Sequence, residues 1–97
     1  MSKLKTVIDT YSDSYYMCKV YGKTFDNVSN MECYSNIEFR KVNLSDEENW
    51  DLIEQYGIRK VPSTLFLDNN GVLLIILSGL QTEDKLIETI NTLIDNE

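Results

Sequence analysis

A single proline most constrains how this chain can fold, because Pro62 stands between a helical and a strand-like pattern of apolar residues. A proline there ends the preceding helix, removes a backbone hydrogen-bond donor and favours extended backbone geometry at Val61. The helical pattern before it is formed by four residues predicted to be buried: Trp50, Leu52, Ile53 and Tyr56. The apolar stretch after it, residues 64–67, predicts a strand.

Three further strands and two further helices follow from the spacing of apolar residues elsewhere in the chain. Strands are predicted at 4–11, 37–44, 64–67 and 72–78, and helices at 17–31, 50–56 and 83–94. Cap signals precede the helices: Ser12 to Ser14, the capping box Ser45 to Glu48, and Thr82. Gly57 suits the end of the second helix, and Asn70-Gly71 predicts a hairpin turn between the last two strands.

The resulting order βαβαββα predicts an α/β fold with a four-stranded mixed sheet and helices on both faces. The first two strands are expected to be parallel, joined by a right-handed crossover, and the last two form a hairpin. With 97 residues, the chain suits one domain spanning 1–97.

Composition excludes several classes of function. The formal net charge of −7 argues against nucleic-acid binding and against docking on anionic membranes. The longest apolar run, 72–77, is far shorter than the roughly 20 residues that span a bilayer, and no apolar segment of a signal peptide follows Met1 to Lys5. We therefore expect a cytoplasmic protein. The chain has no histidine and only two cysteines, so the sequence indicates no metal site and no cofactor.

Two stretches carry a family resemblance. Val7-Ile8-Asp9 leads to Ser14-Tyr15-Tyr16-Met17-Cys18-Lys19, and Tyr56-Gly57-Ile58-Arg59 leads to Val61-Pro62-Ser63. At this spacing the chain resembles the thioredoxin family, and it resembles the minimal version of that fold because only six residues precede the first strand's centre. The resemblance implies a cis Val61–Pro62 peptide bond. It also implies that Asp9 occupies the position of the family's buried aspartate, and Cys18 that of its second, resolving cysteine.

The chain departs from the family where the first cysteine would stand, because that position is Tyr15. Thiol–disulfide exchange needs one thiolate to attack and a second thiol to resolve the mixed disulfide. The ancestry implied by the resemblance is that of a disulfide oxidoreductase, but Tyr15 cannot act as the nucleophile.

Two functions therefore stand side by side. In the first, the chain is a protein- or peptide-binding module without dithiol exchange, a monomer or weak oligomer, using the groove beside Pro62. The binding residues would be Tyr15, Tyr16, Met17, Val61, Pro62 and Ser63. In the second, it is a single-cysteine thiol oxidoreductase in redox homeostasis.

The second function would use Cys18, assisted in proton transfer by Asp9. Each residue also has a structural interpretation: Cys18 as an inert buried thiol, and Asp9 as a core carboxyl whose hydrogen bonds are satisfied. Cys33, near the end of the same predicted helix, would lie roughly 20 Å from Cys18, too far for a disulfide.

Overall fold

The computed structural model describes residues 3–95, and the elements follow the predicted order. Their bounds are β1 Leu4–Tyr11, α1 Tyr16–Ser29, β2 Glu38–Asn43, α2 Trp50–Tyr56, β3 Ser63–Asp68, β4 Leu73–Ser78 and α3 Glu83–Asp95. Short 3₁₀ turns at Glu32–Tyr34 and Glu47–Asn49 stand before β2 and α2. The α/β fold and the four-stranded mixed sheet are thus confirmed.

The sheet has the strand order β2-β1-β3-β4. β1 is parallel to β2, whereas β1 with β3 and β3 with β4 are antiparallel. β1 and β3 therefore lie in the centre, and every residue of β3 is buried. Strands buried on both faces read as continuous apolar runs, which explains the unbroken pattern after Pro62.

Helices cover both faces of the sheet. α1 and α3 pack on one face, where the buried core includes Tyr21, Phe25, Phe66, Leu86 and Ile90. The other face carries a second core around Ile8, Val42 and Leu65, against which Leu52 and Ile53 of α2 pack. Successive residues of a strand point to opposite faces, so Val7 and Ile8 serve the two different cores.

Three of the predicted local signals are confirmed. The Thr82 hydroxyl accepts a hydrogen bond from the Lys85 amide at 3.1 Å, as an N-cap does. Gly57 ends α2 with left-handed backbone geometry at φ +66°. The tight turn between β3 and β4 has Gly71 at φ +80°, a conformation that favours glycine.

Other local predictions are wrong. Asn49 rather than Ser45 occupies the N-cap position of α2, and no side-chain cap bond forms at either α1 or α2. Trp50 is 52% exposed instead of buried, because its indole N–H donates to the Leu44 carbonyl at 3.0 Å and holds the ring at the surface. α1 ends at Ser29, so Cys33 lies in a separate turn, exposed and as a free thiol.

None of the helices within residues 3–95 combines the length and apolar character needed to cross a membrane.

Candidate functional site

Strand directions bring the predicted site residues to one end of the sheet, where β1 and β2 end and β3 begins. Tyr11 at the end of β1 pairs with Asn43 at the end of parallel β2, and Thr10 pairs with Ser63 at the start of antiparallel β3. The segments that leave or enter this end are Ser12 to Tyr15, Leu44 to Trp50 and Val61 to Pro62. We call this end of the molecule the site edge.

A network of side chains holds the segment between β1 and α1. The Ser12 hydroxyl is 3.1 Å from the Ser45 hydroxyl, and the Asp13 amide donates to Ser45 Oγ at 3.2 Å. Asn43 Nδ2 donates to Asp13 Oδ2 at 2.9 Å. Ser12, Asp13 and Ser45, predicted to cap helices, instead link the loops that follow β1 and β2. They thereby fix the backbone that leads into Tyr15.

Tyr15 and Tyr16 project from the start of α1. Tyr15 is 49% exposed and Tyr16 72% exposed, whereas Met17 is half-buried. Two phenol rings with apolar faces and polar tips form a surface of the kind enriched in protein interfaces. The start of α1 therefore presents two exposed aromatic side chains.

The segment around the cis Val61–Pro62 bond is tied firmly to the sheet. Gly79 donates to the Pro62 carbonyl at 2.7 Å, and Thr10 Oγ1 donates to the Ser63 carbonyl at 2.7 Å. Pro62 and Ser63 are buried, and only Val61 of the three predicted binding residues is partly exposed. Direct contact of a ligand with this segment is thus limited to Val61 and to the backbone around it.

Asp9 is buried in the middle of β1 with 1% exposure, and its Oδ1 has no hydrogen-bond partner within residues 3–95. Burial raises the pKa of this carboxyl to about 6, with Lys41 lowering it and Asp26 raising it further. A buried carboxyl without partners disfavours its own charged form, so loss of hydration is the dominant cause. Asp9 is therefore able to exchange a proton close to neutral pH.

Cys18 lies in the first turn of α1 and is 5% exposed. Burial raises the pKa of its thiol, although a hydrogen bond from the Ser12 amide to Sγ at 3.5 Å acts in the opposite direction. The negative charge of Asp9 raises the pKa further. The favourable effect of the helix N-terminus does not dominate, so the thiol is mostly protonated at neutral pH and is a poor nucleophile.

Asp9 and Cys18 line the same open cavity, whose volume is about 410 Å³ and which lies between β1, β2 and α1. Lys41 of β2 also lines it and forms an ion pair with Asp26 of α1 at 2.7 Å. The loop between β1 and α1 thus lines the cavity with Ser12 and Asp13 and also leads to the two tyrosines. Within residues 3–95, no group of three or more potential metal ligands occurs.

Sequence reasoning missed three exposed apolar residues near the site edge. Val20 lies in the first half of α1, Trp50 follows β2, and Leu80 follows β4. With Tyr15 and Tyr16 they make five of the six large hydrophobic side chains that are exposed within residues 3–95; the sixth, Val72, is at the opposite end of the sheet. Their apolar identity was visible in the sequence, but their exposure depends on tertiary contacts.

Comparison with known sequences finds one family. A sequence model of the thioredoxin-like domain matches residues 2–94 of the chain. Thioredoxins of Rickettsia felis and Rickettsia conorii are each 30% identical over 90 residues, a match that covers 93% of this chain and 82% of each relative.

Solved structures show the same similarity. The thioredoxin Mala s 13 of Malassezia sympodialis matches with a TM-score of 0.80 and 25% identity, over 95% of this chain and 76% of that one. The short form of spinach chloroplast thioredoxin f gives 0.78 with 27% identity, over 94% and 76% of the two chains. The germline-specific thioredoxin Deadhead of Drosophila melanogaster gives 0.78 with 28% identity, over 96% and 83%.

Proposed function

The chain belongs to the thioredoxin-like family, and from that premise we propose that it is a protein- or peptide-binding module that has lost dithiol–disulfide exchange. The observation that carries this proposal is the grouping of exposed apolar side chains at the site edge. Large exposed hydrophobic residues that share one end of a small domain are typical of interaction surfaces. Exposed hydrophobic residues do not make a protein more soluble, and the net charge of −7 already favours solubility. Solubility therefore does not explain these residues.

The residues at the start of α1 support the proposed loss of dithiol–disulfide exchange. Tyr15 provides no thiol, Cys18 is buried with a raised pKa, and both cysteines are free. A resolving thiol alone cannot complete the reaction, because a mixed disulfide formed at Cys18 has no neighbouring cysteine to release it.

The proposed surface consists of the exposed residues Tyr15, Tyr16, Val20, Trp50 and Leu80, together with the half-buried Met17 and Val61. Aromatic residues of this kind contribute much of the binding energy of protein interfaces. The rigid hydrogen bonding of the Ser12 to Ser45 network and of the cis-proline segment supports a preformed surface, which lowers the entropic cost of binding.

An insulin-reduction assay with dithiothreitol tests the loss of exchange. We expect the rate of insulin precipitation to equal the rate with reductant alone, and turnover above that background would contradict the proposal. The Tyr15→Cys variant is the informative companion. A gain of reductase activity would show that the remainder of the exchange apparatus persists and that the nucleophile alone is missing.

Matched variants test the binding surface. Proteins retained from a cell extract are quantified for the wild type, Tyr16→Ala and Trp50→Ala, with Val72→Ala as the control. Val72 is as exposed as Trp50 but lies at the opposite end of the sheet. We expect Tyr16→Ala and Trp50→Ala to reduce retention of the same partners and Val72→Ala to leave it unchanged. Equal retention by all four proteins would refute the assignment of the surface.

A second candidate function is single-cysteine thiol oxidation and reduction. It is favoured by one observation, namely that Asp9, with a pKa of about 6, lines the same cavity as Cys18 and could receive its proton. Alkylation of the folded protein at neutral pH separates the two functions. Cys33, which is exposed, should react readily, and Cys18 should react only after denaturation if the thiol is structural.

A further inference from the structure

The open cavity behind Cys18 has the dimensions of a small-molecule site. Its volume of about 410 Å³ falls within the range of roughly 300–1,000 Å³ that is usual for ligand pockets. The proposed protein-binding surface does not account for it, because Tyr15 and Tyr16 are not among its lining residues.

The inner wall of the cavity holds an unmatched negative group. Asp9 lines the cavity, is 1% exposed, and its Oδ1 accepts no hydrogen bond within residues 3–95. Lys41 of β2 also lines the cavity, but its ammonium group forms the 2.7 Å ion pair with Asp26. Buried polar atoms in folded proteins nearly always have a partner, so an unpaired carboxyl oxygen on a residue of the cavity wall marks Asp9 as a place for a hydrogen-bond donor.

The outer wall holds unmatched positive groups. Lys19 and Lys23 of α1 both line the cavity, lie one helical turn apart and are exposed. No ion pair joins either ammonium group to a carboxylate in the part of the chain that the structure describes. Two neighbouring ammonium groups favour a carboxylate or a similar anion.

Gly22 stands between these lysines on the same helix face and keeps the cavity open. It also lines the cavity, and a Cβ atom at this position would lie 3.7 Å from Lys41 Nζ. A methyl group would thus just fit, whereas a larger side chain would extend into the space. A glycine inside α1 costs about 1 kcal/mol of helix stability relative to alanine, so the open wall has an energetic cost.

We propose that this cavity binds a small zwitterion of the amino acid or short-peptide class, with its ammonium group at Asp9 and its carboxylate at Lys19 and Lys23. A simple anion would meet the Asp9 carboxylate without a compensating donor, and a simple amine would leave both lysines unmatched. Of the other charged residues that line the cavity, Asp26 pairs with Lys41 and Asp13 accepts a hydrogen bond from Asn43. A molecule that carries both charges therefore matches the groups that remain on the inner and outer walls. The site is independent of the proposed protein-binding surface.

The experiment is a titration of the ¹⁵N-labelled full chain at pH 7.5, followed by amide chemical shifts. The probes are glycine, β-alanine, γ-aminobutyrate and 5-aminovalerate, which increase the separation of the two charges stepwise, with propionate and propylamine as single-charge controls. We expect at least one zwitterion to shift the Cys18, Gly22 and Lys41 amides in a saturable manner and to bind about tenfold or more tightly than either control.

Variants locate the two charges. Asp9→Asn and the double variant Lys19→Met with Lys23→Met should each weaken binding about tenfold or more, because each removes a charged hydrogen-bond partner. Lys5→Met, an exposed lysine near the opposite end of β1, is the matched control and should bind as the wild type does. Gly22→Leu should abolish binding by filling the cavity while leaving Asp9 and the lysines in place.

Two results would overturn the proposal. One is the absence of a saturable shift with every zwitterion up to about 10 mM. The other is saturable binding that Asp9→Asn and Gly22→Leu leave unchanged, which would place the ligand elsewhere on the molecule. The fold of each variant is checked by its remaining amide spectrum, and Gly22→Leu and Asp9→Asn test the site independently of each other.

Discussion

Replacing Asp9 by asparagine should stabilise the protein at neutral and alkaline pH and should have little effect in acid. The carboxyl has a pKa of about 6 in the folded protein against 3.8 as the ordinary value. Because the folded-state value is raised, the native protein holds a proton that the unfolded chain has already released between these two pH values. The contribution of Asp9 to stability is therefore fully present below pH 3.8 and is lost as pH rises through about 6.

The magnitude follows from the size of the shift. A difference of one pKa unit corresponds to about 1.4 kcal/mol, so ionisation of Asp9 costs up to about 3 kcal/mol of the free energy of unfolding above pH 7. Asparagine has a similar volume and no charge, and therefore avoids this cost. For a domain of this size, a gain of about 3 kcal/mol is a considerable fraction of the total stability.

Urea denaturation of both proteins at pH values from 4 to 8 measures the difference. The difference between Asp9→Asn and the wild type should grow between pH 4 and 7 and then level off, since the other carboxylates are common to both proteins and cancel. The control is Glu54→Gln, which changes an exposed carboxylate on α2 and should alter stability by no more than about 0.5 kcal/mol at any pH. If Asp9→Asn is less stable than the wild type at pH 8, loss of hydration is not the dominant effect at Asp9.

Lys41 offers a second check of the same reasoning. Its charge lowers the pKa of Asp9, so Lys41→Met should move the pH dependence of the wild type to higher pH and make the advantage of asparagine at position 9 larger. An unchanged pH dependence in the Lys41→Met background would show that the charge of Lys41 is screened from Asp9 by solvent in the cavity.

Three further substitutions test local contacts by urea denaturation. Thr82→Ala removes the N-cap bond of α3 and should lower the free energy of unfolding by about 1 kcal/mol, whereas Thr82→Ser should retain most of it. Gly57→Ala should cost about 1 kcal/mol or more, because alanine is strained at φ +66° although open space surrounds the position; a neutral effect would mean that the turn rearranges. Tyr34→Phe removes the 2.6 Å bond from the hydroxyl to Asn91 Oδ1 and should cost about 1 kcal/mol, an effect that should disappear when Asn91→Ala is already present.

The sequence predicted the fold because its main signals are periodic and extend over whole elements. The apolar positions of α1 and α3 recur with a period of 3.6, and the strands read as short apolar runs, patterns that change little with tertiary context. Thr82 and Gly57 were predicted correctly since their partners lie within five residues in the chain. Signals of this kind are satisfied locally and can be recognised locally.

The signals that failed have partners far away in the sequence. Ser12 and Ser45 are good capping residues, but they lie 33 residues apart and their hydroxyl groups face each other across the parallel ends of β1 and β2. Trp50 fits the apolar side of α2, yet its N–H reaches the Leu44 carbonyl and the ring stays outside. No periodicity in the sequence distinguishes these arrangements from the ones predicted.

The candidate site shows the same division between what residue identity reveals and what only packing decides. The identities of Tyr15 and Cys18, set beside the family resemblance, are enough to predict that dithiol exchange lacks its nucleophile. The burial of Pro62 and Ser63, the exposure of Trp50 and the unpartnered Oδ1 of Asp9 arise from three-dimensional packing. Ionisation of the buried Asp9 carboxyl lowers the stability of the folded chain at neutral pH, so the presence of this residue needs a reason. Either Asp9 has no function in this chain, or it is retained because its carboxylate binds a ligand. The Asp9→Asn variant distinguishes the two. If Asp9 has no function, the variant gains stability and loses no activity, whereas if the carboxylate binds a ligand, the variant gains stability and loses ligand binding.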